Sequence, residues 1–240
     1  IAIGYTWRRI AAKCSNAHAT AVLADYFQSI QVGVGTPGGG EAAVNATRRF
    51  VESMPVGHCV VKLDFTNAFN SLDRGAMLDA VKQRVPGIYK FCHLSYSQPS
   101  VLGYMDRIIM SQEGSQQGDP LGPAMFCSTI QPLLLSLASE LREAYMDDLT
   151  LGGPEAQVAR DVETVRRKGE AIGLRLNDKK CEFISGTAQS SDPAFQHFVH
   201  LAVDSAELLG APLTTGPAMD RALGRRCDDL SRAASRLSLV

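Results

Sequence analysis

Four residues, Tyr145-Met146-Asp147-Asp148, stand between two short runs, Arg142-Glu143-Ala144 and Leu149-Thr150-Leu151, whose composition suits strands. Gly152-Gly153-Pro154 closes the second run. Two aspartates side by side at a hairpin tip repel each other, which raises at least one of their pKa values. In isolation such a pair reads as a solvated turn. Kept beside further carboxylates, it calls instead for a hard divalent cation. Mg²⁺ takes one or two carboxylates and fills its other positions with water and substrate phosphate. A third carboxylate elsewhere in the chain decides between the two readings.

Residues 58–65, HCVVKLDF, form a strand candidate with a β-branched centre, and Asp64 lies near its C-terminal end. If this strand pairs antiparallel with the hairpin, Asp64, Asp147 and Asp148 meet at one edge of the sheet. Such a triad can hold two Mg²⁺ ions about 4 Å apart, one activating a hydroxyl and one steadying a leaving oxygen. In-line phosphoryl transfer needs little more than this positioning and charge stabilisation.

The rest of the chain supplies a frame. Residues 5–28 read as a helix with Ile10, Ala11, Cys14, Ala17, Ala21 and Leu23 on one side. A glycine-rich loop over 31–40 feeds a helix over 41–53. That loop matches neither GxGxxG nor a P-loop, so both a phosphate cradle and a turn that lets backbones pass closely stay open. Ser71 or Asp73 caps a helix that runs to 85 and stops at Pro86, and a second helix covers 87–97. Two strands, 101–105 and 108–112, turn at Asp106-Arg107. Asp119-Pro120 is an N-cap followed by proline, opening a helix that kinks at Pro132 and reaches 141. Residues 154–172 form an amphipathic helix with Val158, Val162 and Val165 inward, stopped by Gly173. A strand over 181–185, a short strand or hairpin over 208–213, and a helix from 217 to 240 complete the reading.

Composition narrows the partners. A net charge of −1 over 240 residues leaves no basic footprint, so a polyanion would meet local patches such as Arg8-Arg9 with Lys13, Arg48-Arg49, and Arg221, Arg225 and Arg226. The six cysteines show no CxxC pair and no zinc spacing, which argues for reduced thiols inside a cell, in nucleus or cytoplasm. Residues 120–139 carry no charge, but Pro120, Pro123, Gln131 and Pro132 make them a buried helix rather than a membrane span, so no membrane partner is expected. The chain begins at Ile1 without an initiator methionine and reads as a piece of a longer protein.

Taken in order, the segments resemble the polymerase motifs of reverse transcriptases. Val61-Lys62-Leu63-Asp64-Phe65-Thr66-Asn67-Ala68-Phe69-Asn70 resembles motif A, and Ser115-Gln116-Gln117-Gly118-Asp119-Pro120-Leu121-Gly122 resembles motif B. Tyr145-Met146-Asp147-Asp148 is similar to motif C, Gly173-Leu174-Arg175-Leu176-Asn177-Asp178-Lys179-Lys180-Cys181-Glu182 to motif D, and Leu208-Leu209-Gly210 to motif E. Residues 1–13 look like part of a fingers segment. Each motif alone is weak, but five in order across almost the whole chain are specific. The phrasing most resembles the polymerase of non-LTR retrotransposons, although many of those carry alanine where Met146 stands.

The resemblance implies an α+β fold: a palm of antiparallel sheet backed by helices, with partial fingers over 1–57, palm over 58–213 (fingers interleaving near 71–112) and the start of a thumb over 214–240. It implies an RNA-directed DNA polymerase that adds dNTPs to a DNA or RNA primer on an RNA template with two Mg²⁺ ions, Mn²⁺ substituting. Asp64, Asp147 and Asp148 would be the metal ligands. Phe69, with Phe65 nearby, falls where the family places a steric gate against a 2′-hydroxyl; a simple core role for Phe69 is the alternative. Gln117 and Gly118 would meet nucleotide and template, and Arg8, Arg9 and Lys13 the triphosphate. Tyr145, Met146, Leu209 and Gly210 would touch the primer. Lys180 would protonate pyrophosphate, with Lys179 or a merely solvated lysine as alternatives. Further domains of a parent polyprotein, among them the rest of fingers and thumb, are expected outside this chain.

Three rival functions remain. Nucleotidyl cyclases share a palm-like sheet with two metal-binding carboxylates but have no use for motifs B and E. An RNA-dependent RNA polymerase would differ in nucleotide selectivity. A truncated remnant would bind nucleic acid without turnover.

Overall fold

The structure is a computed structural model that describes residues 6–27 and 29–237. Its organising element is β1 (His58–Leu63), a strand buried on both faces. Cys59, Val61 and Leu63 point into the main core, and Val60 into a smaller core on the opposite side. Such two-sided burial is why this stretch is apolar without strict alternation. Around β1 a five-stranded sheet is ordered β4 (Leu141–Tyr145), β5 (Asp148–Pro154), β1, β6 (Glu182–Ser185), β7 (Val199–Ala202). β1 pairs antiparallel with both β5 and β6, and β4 with β5. This is the expected α+β palm, with one addition: β7 lies parallel to β6.

Helices α1 (Thr6–Phe27), α4 (Arg74–Arg84), α6 (Gly122–Leu135) and α7 (Glu155–Glu170) contribute to the main core. α6 is apolar nearly all round, as a central helix must be. α7 turns Val158, Val162 and Val165 inward as its spacing predicts. α2 (Gly39–Glu52) covers the other face through Ala43, Val44 and Val51, beside a short hairpin of β8 (Glu207–Leu208) and β9 (Ala211–Pro212). α3 (Ala68–Ser71), α5 (Tyr89–Tyr96) and the isolated hairpin of β2 (Ser100–Tyr104) and β3 (Arg107–Ser111) lie between β1 and α6 in sequence. α8 (Pro217–Leu237) follows β9.

Several boundaries differ from the sequence reading. The expected ends of the first helix at Tyr5 and Gln28, and of the last over 238–240, lie outside the described residues. In α1 the buried face is Ala12, Ala19, Leu23 and Phe27, while Ile10, Ala11, Cys14, Ala17 and Ala21 are exposed. Small residues mark helix faces poorly, and the bulky Leu23 and Phe27 set the rotation. Asp73, not Ser71, caps α4, accepting from the Ala76 N–H at 2.7 Å. The β2–β3 turn sits at Met105-Asp106, one residue early. Asp119 binds the Leu121 N–H at 2.9 Å, yet the helix starts only at Gly122. It ends at Leu135 rather than 141, because Asp161 captures the backbone N–H groups of Ala138 and Ser139. Gly152 and Gly153 do not end β5; they pair with β1 opposite Val60 and Cys59. A Cβ at Gly152 would meet the Phe50 ring at 2.8 Å, so glycine is what lets α2 sit on this strand.

Candidate active site

β4 and β5 close with Tyr145 opposite Asp148, leaving Met146 and Asp147 as a two-residue loop. β1 ends at Leu63 opposite Leu149, so Asp64 follows at the register position facing Asp148. The expected antiparallel pairing therefore brings the three aspartates to one sheet edge. Their charges sense each other. Burial pushes the Asp147 carboxyl above the usual range, its own backbone N–H offsets part of this, and Asp64 adds repulsion. Burial is also the largest cause for Asp148, although its side chain still reaches solvent. Repulsion from Asp147 and Asp64 adds to it, opposed by Lys62. Lys62 itself donates to Glu182 at 2.8 Å across the β1–β6 pair.

Asp64 is held by its backbone. Its N–H donates to the buried Cys181 sulfur at 3.3 Å, and its carbonyl accepts from the Asn177 N–H at 2.8 Å. Burial pushes the Cys181 thiol up to about 11, so it stays protonated and serves as a weak donor back to the Asp64 carbonyl, 3.7 Å away. Phe65 bridges Leu176, and the Thr66 N–H reaches the Arg175 carbonyl at 2.8 Å. The segments similar to motifs A and D are thus laced together. Lys179 and Lys180 sit exposed at the turn between them and β6.

The segment similar to motif B is laced to motif A from the other side. The Phe69 carbonyl accepts from the Ser115 N–H and the Leu72 carbonyl from the Gly114 N–H, each at 2.9 Å. Gly114 has φ +59, and a Cβ there would fall 2.1 Å from the Phe69 carbonyl oxygen, so glycine is required. The Phe69 ring is partly buried and stacks on Phe126 with centroids 4.5 Å apart. Gln117 and Gly118 are exposed beyond this junction. Arg8 reaches Asp119 at 3.5 Å and lies 5.2 Å from the Tyr96 ring centroid, with Arg74 at the same distance. Arg8 and Arg9 share a small recess with Gln116, Gly118 and Asp119.

Tyr145 and Leu209 line an open cleft of about 840 Å³ together with Gly33, Gly40, Arg48 and Arg226. Leu209 and Gly210 both have positive φ, at 50° and 75°, making a tight two-residue turn between β8 and β9. Arg226 donates to the Gly210 carbonyl and Arg48 to the Pro212 carbonyl, each at 2.9 Å. The glycine-rich loop forms one wall of this cleft and works by close approach. A Cβ at Gly33 would lie 2.5 Å from the Met146 nitrogen, and one at Gly39 2.0 Å from the Val32 carbonyl oxygen.

Sequence reasoning missed four residues here: Gln31, Arg74, Tyr96 and Cys181 as a partner of Asp64. Arg74 is buried, and its guanidinium donates to the carbonyls of Gly114, Ser111 and Glu113 and to the Ser111 hydroxyl. Its position one residue after a helix cap gave no sign of this.

Among the described residues, no three His, Cys, Asp or Glu side chains converge closely enough to enclose a metal ion alone. The donor set still fits a hard cation completed by water and phosphate oxygens, because it offers only carboxylates and holds those of Asp147 and Asp148 where their anionic form is disfavoured.

Residues 5–213 match the family described as "Reverse transcriptase (RNA-dependent DNA polymerase)". The chain is 24% identical over 195 residues to the retrotransposable element SLACS 132 kDa protein of Trypanosoma brucei gambiense, covering 77% of this chain and 16% of that protein. Among solved structures, apo telomerase from Candida tropicalis superposes with a TM-score of 0.55 at 11% identity, over 76% of this chain and 38% of that one. Telomerase from Candida albicans in complex with a fragment of telomeric RNA gives the same TM-score and identity over 75% and 36%. These structures share the palm fold, and the chain spans well under half the length of each relative.

Proposed function

The chain belongs to the reverse transcriptase family, and from that premise we propose that it catalyses RNA-templated addition of deoxynucleotides to a primer 3′-hydroxyl. The convergence of Asp64 with Asp147 and Asp148 at one sheet edge carries the reading. In it Asp64, Asp147 and Asp148 hold divalent cations, Mg²⁺ with Mn²⁺ as substitute. These cations supply an activated hydroxyl and charge neutralisation at the phosphates. The protein's own part is positioning. Phe69, backed by Phe126, offers a rigid ring edge under the sugar. Gln117 and Gly118 face nucleotide and template from an exposed loop, and Lys180 donates a proton to the departing pyrophosphate. Arg8 meets the triphosphate already oriented by Asp119 and Tyr96, with Arg9 exposed beside it. Tyr145, Met146, Leu209 and Gly210 guide the DNA or RNA primer, Tyr145 and Leu209 from the wall of the cleft.

The same reading divides the chain into partial fingers over 1–57, palm over 58–213 with a fingers segment near 71–112, and the start of a thumb from 214. Work on RNA inside a cell, in nucleus or cytoplasm, suits the free cysteines. Primer extension on an RNA template with Mg²⁺, comparing deoxy- with ribonucleotides for the chain and its Asp147→Asn variant, tests the proposal. Extension with deoxynucleotides only, lost in the variant, is expected. Ribonucleotide extension would indicate an RNA-dependent RNA polymerase, and unchanged activity in the variant would sink the ligand assignment. Binding without extension would indicate a remnant.

A further inference from the structure

Gln31 has no solvent exposure, and its carboxamide bonds only to backbone. The side-chain oxygen accepts from the Met146 N–H at 2.8 Å and the Gly33 N–H at 3.1 Å. The side-chain nitrogen donates to the Met146 carbonyl at 3.1 Å. Both polar groups of one residue in a two-residue loop are thus taken by a single buried amide. That residue needs holding: Met146 has φ +59, a left-handed conformation that costs energy for any residue but glycine or asparagine. Only the first central residue of this turn has positive φ, a position glycine normally fills. Around the clamp, Gln31 forms a single parallel bridge with Ala144 of β4. The Ala144 N–H reaches the Ile30 carbonyl at 2.7 Å, and the Val32 N–H reaches the Ala144 carbonyl at 2.8 Å. Were packing the only requirement, an apolar side chain would avoid burying an amide.

Building on the function proposed above, we propose that Gln31 is a positioning residue of the active site, fixing the left-handed turn at Met146 and through it the placement of Asp147. It touches no reacting atom. It acts by holding the backbone on one side of the metal-binding carboxylate, as Cys181 and Asn177 hold that of Asp64.

Gln31→Leu keeps the volume and removes all three bonds. In the full chain, amide hydrogen exchange at Met146 is expected to quicken at least tenfold while Val60 and Val61 in β1 stay protected. In primer extension kcat is expected to fall by 10- to 100-fold with KM for the deoxynucleotide within twofold. Adding Met146→Gly to Gln31→Leu relieves the strained backbone and is expected to recover part of the loss. Gln31→Glu, which keeps the shape and the acceptor bonds but not the donor, covers the case in which the leucine variant does not fold; it too must lower kcat. Unchanged exchange at Met146 in Gln31→Leu, or unchanged kcat in either folded variant, overturns the proposal. If the parent chain itself extends no primer, the function proposed above fails, and exchange at Met146 still decides the clamp for or against Gln31.

Discussion

Two groups of aspartate hold this sheet in opposite ways. Asp161 on α7 is 4% exposed. It accepts from the Ala138 N–H at 2.9 Å, from the N–H and hydroxyl of Ser139 at 2.6 Å each, and from Gln157 at 3.1 Å. Its negative charge is answered within the fold, and the return is a chain reversal between α6 and β4. Asp147 and Asp148, at the far end of the hairpin that β4 opens, receive almost nothing: one backbone N–H for Asp147 and the distant charge of Lys62 for Asp148. A carboxylate that belongs to the architecture is neutralised by the architecture. One left unanswered beside another is costly to the empty fold, and in the function proposed above a cation would complete it.

Substitutions sharpen that contrast. Asp147→Asn is expected to lower primer extension by about 10³-fold or more, the scale of a lost electrostatic centre, while the melting temperature holds or rises because a repulsion is removed. Asp161→Ala should do the reverse. Orphaning the Ser139 and Ala138 donors costs about 3 kcal/mol of unfolding free energy in a denaturant titration, with activity per folded molecule retained. A collapse of stability in the first, or of specific activity in the second, would break the comparison.

The pH dependence separates the two groups next. Burial raises Glu143 from the ordinary carboxylate range to about 7, with the Thr47 hydroxyl opposing, and Asp147 and Asp148 are raised as well. Between the unfolded and folded pKa values the native state holds protons that the unfolded chain has lost. The Glu143 contribution is therefore complete below about pH 4 and is lost as pH rises through about 7, and those of Asp147 and Asp148 change in the same direction. Melting at pH 5 should exceed that at pH 8, by an amount equivalent to roughly 1–2 kcal/mol once partial exposure is allowed for. Glu143→Gln should flatten most of the slope, and millimolar Mg²⁺ should raise melting at pH 8 in the parent chain more than in Asp147→Asn. The smallest effect expected is that of Tyr96→Phe. Asp119 is an intermediate case, taking the Tyr96 hydroxyl at 2.5 Å, the Leu121 N–H and Arg8. Losing one of three partners should cost about 1 kcal/mol in the same titration.

Most of the site was legible in the sequence because its signals are local. The β-branched run ending in Asp64 and the two flanks of Asp147-Asp148 each declare a strand, and their antiparallel pairing puts the acids together. The glycine-rich loop was read as either a phosphate cradle or a close crossing, and Gly33 against Met146 makes it a close crossing. What stayed hidden depends on partners far along the chain. Gln31 meets Met146 across 115 positions and Cys181 meets Asp64 across 117, and neither residue type announces such a role. β7 escaped notice because its four residues are strand-like only beside β6. The end of α6 was misplaced because propensity alone would continue it, and only Asp161 stops it. The face read for α1 is right only at Leu23, because half of the apolar positions assigned to it are alanine.

The short run at residues 30–32 has a consequence for association between molecules. An edge strand with free N–H and C=O groups is a template on which another chain can add a strand. Along β4, beside the acid-bearing hairpin, that template is already occupied at Ala144 by its own chain. At the opposite edge, no described residue pairs with the outer side of β7, and Val199 there is 44% exposed. The sheet is therefore covered at Ala144 on its β4 edge and open along β7. Were strand addition to occur in concentrated solution, it is expected to begin at β7, and a charged residue in place of Val199 is expected to suppress it in a light-scattering measurement.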